Sequence, residues 1–459
     1  MVRANVAVEK LDIPTVSIVC EGFALQANLV AAGLGMPNLP LSPYPGNVNY
    51  HSLEEIEKNV RTVMVDSIIN GLTVQPKETK HGQSPEPETK EIVFTGTFDE
   101  VNSFFYDNEW SDGLPVIPPT VERVEKFLKY TDRNPDELIS VLLPDKREAT
   151  VWNIAVNGVM AGCRPEYMPV LIAIVEVMAD PKFCQEGLGG PATEALIIIN
   201  GPIIKELRFN YEQGALRVGY QANTSIGRFW RLYLRNVAGF LPHKTDHGTF
   251  GGTWRVVLAE NEDAVAKIGW DPLSVDQGFK SGDNVITISS CNTTDAAFVL
   301  ASSKEGADKV EVILGKLATR IVDIQIECFM SRLVNFSIRP LILITPTIAQ
   351  IMAAGGYSKA KMKQYFFEHA MFPVNRFESL HPVDGLISKA VEEGRLPKFY
   401  GESKNPNRLV PIVSSPDDFM IIVSGDPSKD DCLICSQNGK VGYPVSKKID
   451  LPANWKEKL

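Results

Sequence analysis

The chain of 459 residues lacks two features that would assign it to a specialised class of protein. It has no basic excess, since its formal net charge is −10, whereas binding to nucleic acid needs clustered Lys and Arg to displace counterions. It also has no apolar run of the roughly 18 to 20 residues that span a membrane, and no apolar segment near its N-terminus typical of a signal peptide. We therefore expect no nucleic-acid or membrane partner and a cytoplasmic location.

The common motifs of catalysis and cofactor binding are missing as well. The sequence contains no GxGxxG, Walker, GxSxG or HExxH motif, so nucleotide-binding, serine-hydrolase and zincin interpretations have no support. Cysteine is sparse and odd in number, with seven residues. Most lie within apolar or helical words, which is typical of reduced thiols rather than of a disulfide framework.

Length and composition predict two or three domains with a large core. Between Gln75 and Glu91 the chain becomes charged and loses its large apolar residues, a pattern typical of a linker. We predict a truncated α/β half-domain over residues 1–75, a linker over 76–92, and a large α/β domain over 93–459 that could comprise two subdomains.

Residues 1–75 read as the back half of a small α/β domain. The strand-like run Ile13 to Cys20 arrives after only twelve residues, yet a strand followed by a helix normally needs parallel neighbours. Ser52 and Glu55 predict a capping box at the start of a helix that Gly71 closes. The order is helix, strand, helix, short strand, helix, and it predicts a partial flavodoxin-like or Rossmann-like half-domain.

Residues after the linker alternate between helix and strand signals, which predicts a larger mixed α/β domain. The predicted helices are Pro165 to Met178, Asn223 or Thr224 to Val237, Ala307 to Ala318 and Ser358 to Ala370. The predicted strands are Ala195 to Asn200, Trp254 to Ala259, Val285 to Ser289, Leu341 to Ile344 and Phe419 to Ser424.

Two sets of sequence words resemble known families. The words DIPTVSIVCEGF and GLGMPNLPLSPYP, within residues 1–75, resemble the tail of the family named for its selenocysteine-Gly-Ser-Cys (UGSC) motif, which would lie upstream of Val2. Residues 98–450 resemble an uncharacterised family that accompanies the UGSC family, through words such as EWSDGLPVIPPT, AVNGVMAGCRPEYMPV, INGPI and ANTSIGR. The resemblance implies a redox or carbon-heteroatom enzyme without naming its substrate.

Cys163 is the thiol whose surroundings in the sequence best fit a reactive group. It precedes Arg164 and a helix that opens at Pro165, and both a guanidinium and a helix N-terminus stabilise a thiolate. A buried structural cysteine at a helix junction is the alternative. Cys20, at the end of a core strand, is a second catalytic candidate.

The C-terminal pair Cys432 and Cys435 has the spacing of a redox or zinc motif. Asp430 and Asp431 should raise the thiol pKa, and a strand would point the two thiols to opposite faces. We interpret this pair as structural.

Carboxylates and arginines supply further candidates. Glu260 follows a predicted strand, where open α/β sheets bind ligands, and could act as an acid or base; the alternative is a helix N-terminus favoured by Glu262 and Asp263. Arg228 lies within ANTSIGR and is our best anion-binding residue, whereas Arg231 and Arg235 on the same helix are more typical of a solvated face.

The segment from His243 to His247 holds the strongest metal signal. Two histidines four residues apart could join Asp246 on a divalent metal if the segment were helical. Pro242 and the following glycines favour a polar loop instead. In that alternative Asp246 lines the pocket and acts as an acid or base.

Four other residues are predicted to bind substrate because of the family-like words that contain them. They are Trp110 and Asp112 in EWSDGLPVIPPT, Asn200 in INGPI, and Asn223 in ANTSIGR. Arg164, beside Cys163, is the fifth.

Three functions stay open at this point. The leading one is an enzyme of redox or carbon-heteroatom (C–S or C–N) chemistry on a small anionic metabolite, with Cys163 as the thiol, Glu260 or Asp246 as the acid-base group and Arg228 as the substrate clamp. The second is a lyase or hydratase with a divalent metal on His243, Asp246 and His247. The third is a non-catalytic large subunit that binds a separate UGSC-type polypeptide. We expect a homo-oligomer in each case.

Overall fold

The structure is a computed structural model that describes residues 2–459 except 34, 75–89, 145–146, 184–193, 247, 249–250, 253, 299–306, 334–337 and 382–384. The described α-helices are α1 Val2–Glu9, α2 Ala24–Gly33, α3 Leu53–Asn59, α4 Val65–Thr73, α5 Phe98–Asp107, α6 Val121–Leu128, α7 Val151–Met160, α8 Met168–Met178, α9 Ile203–Glu206, α10 Gln221–Tyr233, α11 Glu262–Lys267, α12 Leu273–Asp276, α13 Ala307–Gln325, α14 Met330–Leu333, α15 Pro346–Ala354, α16 Lys359–His369, α17 Val374–Glu378, α18 Leu386–Glu392 and α19 Trp455–Lys458. The described strands are β1 Ser17–Cys20, β2 Leu41–Tyr44, β3 Leu138–Leu142, β4 Arg147–Thr150, β5 Glu194–Asn200, β6 Val257–Ala259, β7 Val285–Cys291, β8 Thr294–Phe298, β9 Leu341–Ile344, β10 Met371–Pro373, β11 Leu409–Pro411, β12 Met420–Val423, β13 Asp431–Cys435 and β14 Val445–Lys448.

The chain divides into two compact units, each built from several segments. The first unit comprises residues 1–115, 140–149 and 233–247, and the second comprises residues 116–139, 150–232 and 248–459. These bounds differ from the sequence-based division at residue 93. Most of the predicted linker lies outside the described residues.

The N-terminal part of the first unit has the predicted element order. Strands β1 and β2 are parallel, in the register Ser17↔Leu41, and α2 connects them. The capping box of Ser52 and Glu55 opens α3 as predicted. The prediction that Gly71 ends the helix is wrong, because α4 continues to Thr73. A Cβ at Gly71 would meet Val16 at 2.6 Å, so this glycine permits close packing of the helix.

The second unit contains two four-stranded sheets with the same pairing pattern. Sheet one has the order β14-β7-β5-β6, and sheet two has the order β8-β13-β9-β12. In each sheet the last two strands are parallel and the other pairs are antiparallel. The mixed α/β class is therefore confirmed.

The two sheets pack face to face through alternate residues of their strands. Leu196 and Ile198 of β5 share a core cluster with Leu343 of β9 and Ile422 of β12. The opposite face of sheet two, including Ile342, joins a separate core with α13, α15 and α16, whereas α8 packs on β7 and β14 of sheet one. Because β5, β7, β9 and β12 are buried along their whole length, the layers follow the order helix, sheet, sheet, helix.

The two sheets exchange their outer antiparallel strands. Strands β5, β6 and β7 belong to sheet one, but the chain continues from β7 into β8, which is the edge of sheet two. Strands β9, β12 and β13 belong to sheet two, and the chain continues into β14, which is the edge of sheet one. The two sheets of the second unit thus form a topological duplication, with β5 to β8 as one half and β9 and β12 to β14 as the other.

Local predictions in this unit were accurate where apolar runs were long. The strand predicted over Leu341 to Ile344 has those bounds, and the helix predicted from Ser358 begins at Lys359, with Ser358 as its N-cap. Helix α10 begins at Gln221 rather than at an Asn223 or Thr224 cap. Helix α13 extends beyond its predicted end to Gln325. Among the described residues, no helix is long and apolar enough to cross a membrane.

Candidate functional site

Strands β5 and β6 bring two of the predicted site residues together. The strands are parallel, and their register pairs Ile199 with Ala259, so Asn200 and Glu260 follow at the same sheet edge. Both residues share the strand face of Leu196, Ile198 and Leu258, because side chains alternate along a strand. Asn200 Nδ2 donates to Glu260 Oε2 over 2.7 Å. The expectation that polar groups meet at the carboxyl ends of strands is met here.

The Glu260 carboxylate is held by donors from four separate segments. Besides Asn200, Oε2 accepts from the Leu273 N–H at 2.6 Å, and Oε1 accepts from the Val423 N–H at 3.3 Å. Lys359 Nζ lies 3.4 Å from Oε1 and forms an ion pair with it. Glu260 is 1% exposed. A buried carboxylate requires such a set of donors, because burying an isolated charge costs far more than the about 2 to 7 kcal/mol of a neutral polar group that loses its water.

Glu262 is the second carboxyl group of the cluster and is only partly buried. It stands at the start of α11, where the Asn261 side chain caps the helix by accepting from the Ala264 N–H. Glu262 Oε1 accepts from Asn200 Nδ2 at 3.0 Å and from the Gly201 N–H at 2.7 Å. Burial raises the pKa of Glu262, and the charges of Glu260 and Asp263 add to this rise while its hydrogen bonds oppose it.

A chain of alternating charges leads away from Glu260. Lys359 is 5% exposed and also lies 3.8 Å from Asp276 Oδ2. Lys363, one turn further along α16, lies 3.5 Å from the same oxygen. We define the acid cluster as Asn200, Glu260, Glu262, Lys359 and Asp276. All five residues belong to the second unit.

Cys163 does not have the electrostatic surroundings that the sequence predicted. Desolvation raises the pKa of its thiol to about 12, although the residue as a whole is partly exposed. A Ser225 hydrogen bond and the charge of Arg228 lower it only in part. Arg164 instead pairs with Glu166 at 2.6 Å. The raised pKa counts against a stabilised thiolate at Cys163, because desolvation outweighs the nearby guanidinium, and the catalytic role of Cys163 stays a prediction.

The arginine stripe of the helix from Gln221 separates into different roles. Arg231 pairs with the buried Glu194 at 2.9 Å, so it is not a fully solvated residue. Arg235 donates to the backbone oxygen of Glu109. Arg228 is partly buried, and its charge lowers the pKa of Cys163 in part. Anion binding by Arg228 and by Arg164 stays a prediction.

The side chain of Asn223 forms hydrogen bonds with backbone groups. Its Nδ2 donates to the backbone oxygens of Asn210 and Val257, and its Oδ1 accepts from the Asn210 N–H. All of these contacts join α10 to a loop and to the start of β6. The structure therefore gives Asn223 a positioning role, and its predicted contact with substrate stays untested.

Other candidates lie in the first unit. Trp110 packs edge-to-face against Phe104 and Phe105, with ring centroids 5.7 and 5.5 Å apart. Asp112 follows it in a turn built around Ser111, whose Oγ donates to the Leu114 backbone oxygen. Cys20 ends β1 and is partly exposed. No contact of these residues with a ligand is tested, so their site roles stay predictions.

The His243 segment is a turn, as the polar-loop alternative requires. His243 has a positive φ of 64°, and Asp246 donates its N–H to the Leu241 backbone oxygen. His247 lies outside the described residues. Within the described parts of the chain, no group of three His, Cys, Asp or Glu side chains is arranged to hold a metal. Asp246 and Glu260 fall in different units, and their predicted approach stays untested.

The C-terminal cysteines behave as the structural interpretation predicts. Cys432 and Cys435 lie on β13 and belong to two different core clusters, so the thiols point to opposite faces. Burial raises the pKa of Cys432, and Asp431 and Asp430 add to the rise. Cys435 lies in the core between the sheets with Cys291, whose pKa is raised by their mutual hydrogen bond and by burial.

Comparison with known proteins identifies one segment of the chain. Residues 1–74 match the model of the UGSC family. This match confirms the resemblance drawn from the N-terminal words, and the UGSC segment ends before the second unit begins. No curated protein and no solved structure matches the chain. The resemblance of residues 98–450 to a UGSC-associated family stays a prediction.

Sequence reasoning missed Lys359 and Asp276 and treated Glu262 only as a helix-end charge. One signal could have revealed Lys359. It is the first residue of α16, directly after the Ser358 cap, where the helix dipole disfavours a cation. A carboxylate partner elsewhere would offset this penalty. Asp276 gives no comparable local signal.

Proposed function

We propose that the second unit is an enzymatic domain that makes or breaks a carbon-heteroatom bond in a small metabolite by carboxylate acid-base catalysis. In this proposal Glu262 transfers the proton, while Asn200, Glu260 and Lys359 position it. The substrate and the direction of reaction are left open.

One observation carries the proposal. Two carboxyl groups share the amide of Asn200 at the carboxyl edge of a parallel strand pair, and their surroundings differ. Glu260 is buried and paired with Lys359, whereas Glu262 is partly exposed and its pKa is raised by burial. Sites in which neighbouring carboxyl groups have separate environments supply an acid and a base at neutral pH. A pKa moved toward neutrality favours proton transfer.

Thiol chemistry at Cys163 receives less support. Burial raises the pKa of this thiol to about 12, which disfavours the thiolate, and the thiolate is the reactive form. The carboxylate part of the sequence-based hypothesis is therefore the part that we retain.

The test uses proton exchange, because the substrate is unknown. The full chain is incubated in D₂O with a panel of small amino acids, hydroxy acids and their thioether analogues, and ¹H NMR follows loss of the α-proton or elimination. We expect at least one compound to react. Glu262→Gln should abolish the reaction, because glutamine cannot release a proton in this range.

Asp263→Asn is the matched control. Asp263 is the next residue, and its side chain is exposed and paired with Lys205 at 2.7 Å. The control variant should retain most of the rate. Equal loss in both variants, or a reaction that persists in Glu262→Gln, would refute the catalytic role of Glu262. Absence of reaction across the panel would count against the whole proposal.

A second function is favoured by the surface of the UGSC segment, namely a subunit that binds a separate UGSC-type polypeptide. Several of its apolar residues are more than half exposed, with Leu11 at 70%, Leu25 at 55% and Ile69 at 53%. Among the described residues, strands β1 and β2 form a two-stranded sheet, and an unpaired strand edge can accept a further strand. Purification from the native host with mass spectrometry tests this. A chain recovered alone would contradict it.

A further inference from the structure

The orientation of the Asn200 amide is fixed by the groups around it. Asn200 is fully buried, and its Nδ2 donates to Glu260 Oε2 at 2.7 Å and to Glu262 Oε1 at 3.0 Å. A primary amide has two N–H groups, and both face carboxylates here. Exchanging the amide nitrogen and oxygen would point a carbonyl at two carboxylates, so the hydrogen-bond network excludes that alternative.

The amide oxygen of Asn200 differs from the amide nitrogen in its surroundings. Among the described residues, no group donates a hydrogen bond to Asn200 Oδ1, which is buried. Leaving a buried acceptor unsatisfied costs about 1 to 3 kcal/mol. Native proteins rarely tolerate this without a reason, such as a ligand that completes the bond.

The two lysines near Asn200 are already paired with carboxylates other than Glu262. Lys359 is paired with Glu260, and Lys205 is paired with Asp263 at 2.7 Å. Within the described part of the chain, Glu262 has no ion pair. Its partly exposed carboxyl therefore accepts from the same amide group whose carbonyl oxygen is unsatisfied, and both the carboxylate and this oxygen are hydrogen-bond acceptors when Glu262 is ionised.

We infer that the substrate presents an N–H or O–H donor at its reacting end, and that Asn200 Oδ1 accepts from it beside Glu262. The substrate class is thus an amine or an alcohol rather than a bare carboxylate at this position. This inference rests on the proposed function for the identity of the site. Asn200 acts as a residue that determines specificity, and Glu262 remains the proton-transfer group.

Binding of minimal probes to the full chain tests the inference without turnover. Asparagine side chains are labelled with ¹³C and ¹⁵N, and the Asn200 signals are assigned by their response to Glu262→Gln, with Asp263→Asn as the control. The probes are methylammonium, which has N–H donors, tetramethylammonium, which has the same charge without N–H donors, and acetate, which only accepts. A ligand with two heavy atoms reaches a Kd of about 10 mM at best.

We expect methylammonium alone to shift the Asn200 signals, with an affinity at least fivefold weaker in Glu262→Gln. An equal response to tetramethylammonium or acetate, or no response to methylammonium, would overturn the inference. Failure of the methylammonium arm with a positive exchange assay would reject the donor requirement and leave the proposed function standing. Specific methylammonium binding without any proton exchange would reject the proposed function and keep the recognition site.

Discussion

The two sheets of the second unit share one pairing pattern but differ at the carboxyl ends of their parallel strands. In sheet one those ends carry Asn200 and Glu260, which belong to a buried cluster of charged and amide groups. In sheet two they carry Thr345 and Ser424. The Thr345 hydroxyl donates to the Lys429 backbone oxygen at 2.7 Å, and the Ser424 hydroxyl donates to the Ala259 backbone oxygen at 2.8 Å.

This difference shows how a duplicated topology can support one specialised edge. A hydroxyl group is satisfied by one nearby carbonyl, whereas a buried carboxylate needs several donors and a cation. The cation, Lys359, comes from the connection between β9 and β12 in the other half of the duplication. The Val423 N–H, at the end of β12, donates to the same carboxylate. One half therefore supplies the acid group, and both halves supply the donors that stabilise it.

Among the variants considered, Glu260→Gln should lower the free energy of unfolding the most. The carboxylate accepts from four donors, and a glutamine side chain would turn its NH₂ group toward some of them and remove the charge that Lys359 faces. Breaking a buried ion pair by removing one partner costs about 3 to 5 kcal/mol. Urea unfolding at pH 7 checks this. A loss below about 1 kcal/mol would show that the cluster is solvated and not a buried charge network.

Glu262→Gln should have a smaller effect on stability, and one that depends on pH. Burial raises the pKa of Glu262 in the folded chain above its ordinary value of 4.5, so the folded state holds the proton to a higher pH than the unfolded state does. The free energy of unfolding should therefore fall as the pH rises from about 4.5 through the raised pKa.

Unfolding curves at several pH values measure this contribution. Glutamine resembles the protonated acid and keeps an oxygen for Asn200 and Gly201, so the variant should lose this fall and equal or exceed the parent stability at pH 7. Asp263→Asn serves as the control and should retain the fall. A parent and a Glu262→Gln variant with the same pH dependence would contradict the raised pKa.

Ser424→Ala and Thr345→Val, at the strand ends of sheet two, should have the smallest effects on the free energy of unfolding. Each removes one hydroxyl that bonds to backbone oxygen, which costs about 1 kcal/mol. Neither substitution should alter the pH dependence of unfolding, because no titrating group loses its partner. If either variant lost as much stability as Glu260→Gln, the polar groups at the two sheet edges would contribute equally to stability. The proposed specialisation of sheet one would then be wrong.

The sequence predictions were correct where a feature depends on residues close in sequence and wrong where it depends on distant ones. A capping box and an apolar strand run depend on neighbours within a few residues, so the Ser52 cap and the strand from Leu341 to Ile344 were predicted correctly. Gly71 misled because a glycine near a helix end also permits close packing, and only the position of Val16 shows which role applies. Cys163 misled because Arg164 adjoins it in sequence but pairs with Glu166 in space.

Sequence alone determined the mixed α/β class, the positions of β5, β6, β7, β9 and β12, the UGSC character of residues 1–74 and the placement of Asn200 and Glu260 at strand ends. These follow from periodicity, local words and the tendency of polar residues after a strand to meet at a sheet edge. Tertiary structure alone decided the exchange of β8 and β14 between sheets and the pairing of Glu260 with Lys359, which lies 99 residues away. Strand partners and buried ion pairs are chosen by packing among distant segments, and no local pattern records that choice.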